Sequence, residues 1–123
     1  MSLRTLALWL PPLALMGLIF FLSAQPDLNS GLGTLDTIGR KIIHFAQYAL
    51  LAYLWWRPLS RHTSARRAAL AAFLVTVLYA ATDEYHQSFV EGRHGSPLDV
   101  AIDTAGAGLA SLRLARRGDR ARA

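Results

Sequence analysis

The stretch Leu6–Ala24, LALWLPPLALMGLIFFLSA, decides the fold class of this chain. Its 19 residues carry no charge, and an α-helix needs roughly 20 apolar residues to cross about 30 Å of hydrocarbon. A cleaved signal peptide is the alternative, because an arginine precedes the stretch and small residues end it. The usual apolar region of a signal peptide is only about 7–15 residues long, however. We therefore expect a membrane-spanning helix, kinked at Pro11 and Pro12.

Three further apolar segments follow, and each has one polar end and one apolar end. They cover about residues 38–56, 68–87 and 98–114. The polar residues stand at the start of the second segment, the end of the third and the start of the fourth. If the chain crosses the membrane four times, alternation of direction brings all three polar ends to the same side. The sequence therefore predicts an all-α, integral membrane four-helix bundle, formed by one domain over residues 1–123.

The amino-acid composition excludes most classes of protein other than a membrane protein. Of the 123 residues, 53% are apolar, and 13 Lys+Arg against 8 Asp+Glu give a net charge of +5. Such a chain is too apolar for a disordered basic tail. The absence of cysteine excludes disulfide frameworks and thiolate sites. A small basic nucleic-acid-binding domain is the remaining alternative to a membrane protein.

The distribution of the charges favours the membrane protein and argues against a nucleic-acid partner. Ten of the thirteen basic residues lie in the N-terminus, the loop after the second segment and the C-terminal tail, whereas seven of the eight acidic residues lie on the other side. Cytoplasmic loops of membrane proteins carry an excess of Lys and Arg, so we expect both termini in the cytoplasm. The ten residues are Arg4, Arg57, Arg61, Arg66, Arg67, Arg113, Arg116, Arg117, Arg120 and Arg122.

The polar ends form stripes along helix faces. Side chains three or four residues apart share a face of a helix, and each polar end contains such a set. The sets are Lys41, His44 and Tyr48; Asp83, His86 and Gln87; and Asp99 and Asp103. We expect the stripes to converge on a shared site in the outer leaflet, which Arg93 reaches from the loop above. The alternatives are a network of structural ion pairs, or interfacial charges that extend to water.

The residue types at this expected site leave two kinds of chemistry open. Histidines and carboxylates together are ligands for a divalent Mn, Mg or Zn ion, although no spacing here is a known metal signature. Alternatively, Lys41 and Arg93 hold a phosphate, while a histidine acts as nucleophile or as acid and base. The candidate catalytic residues are His44, Asp83, Glu84 and His86. The candidate substrate-binding residues are Lys41, Tyr48, Gln87, Arg93, Asp99 and Asp103.

The fourth segment is rich in alanine and glycine between residues 101 and 111. Small residues let helices approach closely in lipid, where van der Waals contact drives helix association. The segment is therefore expected to pack tightly, either within the bundle or against a second copy in a homo-oligomer.

Two motifs resemble the VanZ-like family of small bacterial membrane proteins. They read Arg40-Lys41-x-x-His44-Phe45-x-x-Tyr48 and Thr82-Asp83-Glu84-x-His86-Gln87-x-Phe89-Val90-x-Gly92-Arg93-x-Gly95-Ser96-x-x-Asp99. The resemblance implies a protein of the bacterial cytoplasmic membrane and a link to the cell envelope, since the founding member is associated with low-level resistance to teicoplanin. The chain departs from the pattern at Glu91, where proline is usual, and at Asp103, where asparagine is frequent. The added carboxylate could strengthen cation binding or neutralise Lys41.

These observations lead to one main functional hypothesis and one alternative. The protein is expected to bind an anionic lipid or a cell-wall precursor at the outer leaflet, either with or without catalysis on it. In the alternative, the protein is a non-enzymatic membrane module whose polar residues form internal salt bridges and which acts by assembly with a partner. An ion or proton pathway is disfavoured because the polar groups stop near the outer third of the bundle.

Overall fold

Four helices make up the described part of the protein. The structure is a computed structural model that describes residues 2–24, 33–90 and 97–122, with side chains up to residue 117. Helix α1 spans Leu3–Ser23, α2 Thr34–Leu59, α3 Ala65–Gln87 and α4 Pro97–Arg122, and the described ranges contain no strand. The all-α prediction is confirmed, and the helices cover the four predicted segments and extend beyond most of their ends.

Local sequence explains where the first and third helices begin. Ser2 and Ser64 stand before α1 and α3, and each side chain accepts a 3.2 Å hydrogen bond from a backbone N–H of the first turn. Serine suits this position because its hydroxyl satisfies an N–H that lacks a partner within the helix. Helix α1 continues through Pro11 and Pro12, so the two prolines do not end it.

Side-chain contacts establish the directions of the helices. Ser23 at the end of α1 lies beside His86 at the end of α3, and Lys41 early in α2 contacts Asp99 at the start of α4. Tyr48 of α2 donates a hydrogen bond to Asp83 of α3. The polar ends of α2, α3 and α4 therefore share one end of the bundle, as the sequence predicted, and we call it the polar end.

Aromatic rings mark the opposite end. Trp9 packs edge-on against Trp55, with ring centroids 6.1 Å apart, and lies at the same distance from His62. Trp56 donates a 3.2 Å hydrogen bond from its indole Nε1 to the carbonyl of Ala65, which joins the end of α2 to the start of α3. We call this the aromatic end.

Helix α4 lies against both α2 and α3, and α1 packs on the other side of that pair. At Gly106 the backbone of α4 comes so close to α2 that an added Cβ would lie 2.3 Å from the carbonyl oxygen of Phe45. The buried core is built mainly from small residues such as Ala52, Ala72 and Ala107. This agrees with the tight packing expected of the fourth segment.

The outer surface of the bundle is apolar. Large side chains on it include Leu10, Phe21, Leu74, Leu78 and Leu112. Two of the described helices, α1 and α3, are long and apolar enough to cross a membrane by length and composition. The other two, α2 and α4, carry charged residues at both ends, which lower their average hydropathy.

Candidate functional site

An ion pair stands at the rim of the polar end. Lys41 Nζ lies 3.2 Å from Asp99 Oδ1 and joins α2 to α4. The two side chains are 34% and 29% exposed. Both groups are therefore accessible to solvent or to a ligand as well as to each other.

His44 and Asp103 form a second pair, one helical turn deeper. His44 Nδ1 lies 3.1 Å from Asp103 Oδ1; the histidine side chain is 23% exposed and the carboxylate only 2%. Because a carboxylate accepts, Nδ1 donates, and in the neutral imidazole Nε2 keeps a free lone pair. A buried carboxylate that orients a histidine in this way is also the arrangement found in catalytic triads.

Tyr48 and Asp83 form a third pair, buried between α2 and α3. The Tyr48 hydroxyl donates to Asp83 Oδ2 over 3.4 Å, and both residues are almost fully buried. The second carboxylate oxygen, Asp83 Oδ1, has no hydrogen-bond partner among the described residues. The ring of Tyr48 lies nearly parallel to that of His44, with centroids 6.4 Å apart, so the second and third pairs are adjacent.

His86 is held by α1. Ser23 Oγ donates to the Phe20 carbonyl over 3.0 Å and lies 3.1 Å from His86 Nδ1. While the hydroxyl donates to the Phe20 carbonyl, it can accept from His86 Nδ1, and that tautomer leaves Nε2 with a lone pair. The Phe20 ring stacks on the imidazole at 4.0 Å. Sequence reasoning missed both Ser23 and Phe20, and the only available signal was a serine near the end of the uncharged stretch Leu6–Ala24.

Six of the ten predicted site residues therefore meet in three pairs, which we call the polar cluster. Its members are Lys41, Asp99, His44, Asp103, Tyr48 and Asp83. His86 contacts α1, but it and His44 are both close enough to Asp83 to interact electrostatically with its carboxylate. Gln87 is buried and Glu84 half-buried on the same helix. Arg93, the second half of the expected anion clamp, lies outside the described residues, as does Glu91.

The pairing differs in one respect from the suggestion that Asp103 neutralises Lys41. Lys41 pairs with Asp99, whereas Asp103 pairs with His44. The reason is the rotation of α4: its first turn places Asp99 opposite the rim, and Asp103, one turn later, reaches the deeper histidine.

The described residues do not form a metal centre. No group of three or more His, Asp or Glu side chains within residues 2–24, 33–90 and 97–117 is arranged to hold a metal ion. Each imidazole Nδ1 lies beside a neighbouring oxygen, and the two histidines belong to different contacts. What the geometry offers is two imidazoles with an oxygen beside Nδ1, one ion pair at the rim and two buried carboxylates.

A family model described as VanZ/LLP1 matches residues 8–115. The chain belongs to the VanZ/LLP1 family. The match spans parts of all four helices and includes the whole polar cluster. Membership of the VanZ/LLP1 family, together with the two apolar helices, indicates a membrane protein. Searches of curated proteins and of solved structures gave no match.

Proposed function

We propose that the protein crosses the bacterial cytoplasmic membrane four times, with both termini in the cytoplasm and the polar cluster in the outer leaflet. The convergence of three polar helix ends supports this arrangement, as does the excess of arginine at the aromatic end. Trp9 and Trp55 lie at that same end, at the depth where amphipathic rings favour the headgroup region.

The polar cluster is proposed to bind the headgroup of an anionic lipid or of a lipid-linked cell-envelope precursor. The observation that carries this proposal is the placement of the His44–Asp103 pair directly beneath the partly exposed Lys41 on one face of α2. A phosphate can replace Asp99 as the partner of Lys41, since charge-assisted bonds to phosphate are strong. Ionisable groups inside a membrane are costly, and they commonly mark functional sites.

The His44–Asp103 pair also suits catalysis on that headgroup. His44 Nε2 would take a proton from a water molecule, whose oxygen attacks the phosphorus of a phosphate ester. The proton would then pass to the leaving alkoxide, which restores the neutral histidine. Asp103 would orient the imidazole, and Asp83, Glu84 and His86 would supply the surrounding polar groups.

Lipid binding is tested with a photoactivatable phosphatidylglycerol, followed by mapping of the cross-linked residues. We expect cross-links at residues 38–48 and 97–103, and a loss of about tenfold in Lys41→Gln, because a charge-assisted contact contributes about 1.5–3 kcal/mol. Cross-links at the arginine-rich residues 57–67 act as an internal control and should not change. Arg61→Gln is the matched charge control. Equal labelling of Lys41→Gln and the parent protein at the polar end would contradict the proposal.

Catalysis is tested separately with His44→Asn. The asparagine amide can still donate to Asp103 as Nδ1 does, but it has no counterpart of Nε2. Lipid products are followed by mass spectrometry in reconstituted vesicles containing phosphatidylglycerol or a polyprenyl phosphate. Turnover should fall by about 100-fold or more, the usual contribution of a general base, while cross-linking persists. Turnover that survives in His44→Asn would show that the histidine is not the base.

The Lys41–Asp99 pair also favours a second candidate, a module held together by internal salt bridges that acts by assembly with a partner. The discriminating variant is the charge swap Lys41→Asp/Asp99→Lys, measured beside each single substitution. In this second candidate the swap restores both folding and the effect on susceptibility to envelope antibiotics. In the lipid-binding proposal the swap restores folding but not cross-linking, because the cation has moved to another helix.

A further inference from the structure

Three buried polar atoms lie inside the bundle, away from the polar cluster. Trp55 Nε1, Thr76 Oγ1 and Ser111 Oγ are shielded from solvent and have no hydrogen-bond partner among the described residues. Thr76 is 0% exposed and Ser111 6%. They belong to α2, α3 and α4 respectively, the three helices that build the polar cluster. We call these three residues the inner polar layer.

The register of α2 and α3 brings Trp55 to the same depth as Thr76. Tyr48 of α2 contacts Asp83 of α3 across the antiparallel pair. Trp55 comes seven residues after Tyr48, and Thr76 comes seven residues before Asp83. Seven residues make nearly two helical turns, so both residues keep the face of the outer pair and lie about 10 Å deeper. Trp55 and Thr76 therefore occupy, at a second level, helix positions equivalent to those of Tyr48 and Asp83.

Helix α4 brings Ser111 to a similar depth. Asp103 contacts α2 within the polar cluster, and Ser111 follows it by eight residues, about 12 Å along the helix. Between the two levels lie Leu51, Ala80 and Ala107, all almost fully buried. This apolar layer separates the inner polar layer from the polar cluster, so the three inner groups must be satisfied locally.

We propose that an ordered water molecule binds at the inner polar layer, accepting a hydrogen bond from Trp55 Nε1 and exchanging hydrogen bonds with the hydroxyls of Thr76 and Ser111. A buried water typically makes about three hydrogen bonds to polar groups that have no other partner. Water suits this set because an indole N–H only donates, whereas a hydroxyl both donates and accepts. It is also uncharged, and a charged ligand at this depth would need a buried counter-charge.

The water would hold α2, α3 and α4 in one relative register. Each helix contributes one group to it, and the same three helices carry the polar cluster two turns above. Sliding one helix past another would break the water-mediated bonds and leave buried groups without partners, a costly state in a membrane interior. The inner polar layer is therefore a positioning site for the polar cluster, independent of what the cluster binds.

The proposal is tested by whether one substitution lowers or raises the stability of the protein. If water bridges the three groups, Thr76→Val removes one partner and should raise the unfolding equilibrium constant about fivefold in detergent titrations, the loss of about one net hydrogen bond. If the hydroxyl is unsatisfied, the same isosteric change stabilises the protein. Thr76→Ser keeps the hydroxyl and should retain the bridge. Thr82→Val, at an exposed threonine whose hydroxyl donates to the Leu78 carbonyl over 2.9 Å, is the control on the same helix.

A second measurement does not depend on mutant stability. In the parent protein, NMR should show a cross-peak between water and the indole N–H of Trp55, and Trp55→Phe assigns that resonance. The competing partner is the ring of Trp9, whose edge-on contact with Trp55 could place the N–H over an aromatic face. An upfield-shifted indole proton without a water cross-peak, or a Thr76→Val protein as stable as the parent or more so, overturns the proposal.

Discussion

At the scale of single residues, the chemistry of the polar cluster depends on which carboxylate pairs with which lysine or histidine nitrogen. The sequence placed His44, Asp83 and Asp103 on the correct helix faces, since periodicity is a local property. It did not show that Asp103 pairs with His44 rather than with Lys41, because that pairing depends on the rotation of α4 against α2. Nor did it show that Ser23 and Phe20 hold His86, because these residues come from a helix with no charged stripe.

Tyr48→Phe tests the buried Asp83 carboxylate. The substitution removes the hydroxyl that donates to Asp83 Oδ2 and leaves a buried acceptor without that donor. We expect a loss of about 1–3 kcal/mol in the free energy of unfolding, measured by titration in mixed detergent micelles. Tyr53→Phe, on the exposed side of the same helix, is the matched control and should change the stability by less than about 0.5 kcal/mol. Equal effects of the two substitutions would show that the Tyr48–Asp83 contact contributes little.

At the scale of helices, the backbone of α4 approaches the backbone of α2 closely at Gly106. Gly106 allows it, because any side chain there meets the backbone of Phe45, which cannot rotate away. Helix association in lipid relies on such contacts between small residues, since burial of apolar surface gives no advantage over lipid. The Lys41–Asp99 and His44–Asp103 pairs join the same two helices on the polar-end side of this contact, so the distances within them depend on Gly106.

Gly106→Ala should push α4 from α2 and disturb both pairs. The added Cβ would lie 2.3 Å from the Phe45 carbonyl oxygen, and overpacking of this kind costs about 1–3 kcal/mol. Gly17→Ala in α1 is the matched control: its Cβ would meet nothing within 4 Å, so it should be neutral or stabilising by up to about 1 kcal/mol. Thermal unfolding in detergent measures both. If Gly106→Ala unfolds at the same temperature as Gly17→Ala, α4 can move away from the Phe45 carbonyl with little loss of stability.

At the scale of the whole molecule, the distribution of charge can be interpreted only once the helix directions are known. The net charge of +5 suggests a basic protein, but the bundle gathers most arginines at the aromatic end and most carboxylates at the polar end. Among the helices within the described residues, only α1 and α3 have the composition of independent membrane spans. In the proposed topology, α2 and α4 cross as part of the bundle, with their polar groups paired inside it.

Single cysteines test this topology directly, because the natural chain has none. Ser88→Cys, just after α3 at the polar end, should react with a membrane-impermeant maleimide in intact cells. Thr63→Cys, between α2 and α3 at the aromatic end, should react only after the membrane is permeabilised. Ser2→Cys should behave like Thr63→Cys. Labelling of Thr63→Cys but not Ser88→Cys in intact cells would mean the opposite orientation.

The sequence by itself determined the four apolar segments, the polar end of the last three and the family, because uncharged length, helical periodicity and motif spacing are all properties of the chain read locally. Only the tertiary structure decided the partners within the polar cluster, the support of His86 by α1 and the burial of the polar atoms of Trp55, Thr76 and Ser111 without a partner among the described residues. Those depend on the rotation and relative depth of neighbouring helices. Close contacts such as Gly106 against Phe45 set both, and no single segment encodes them alone.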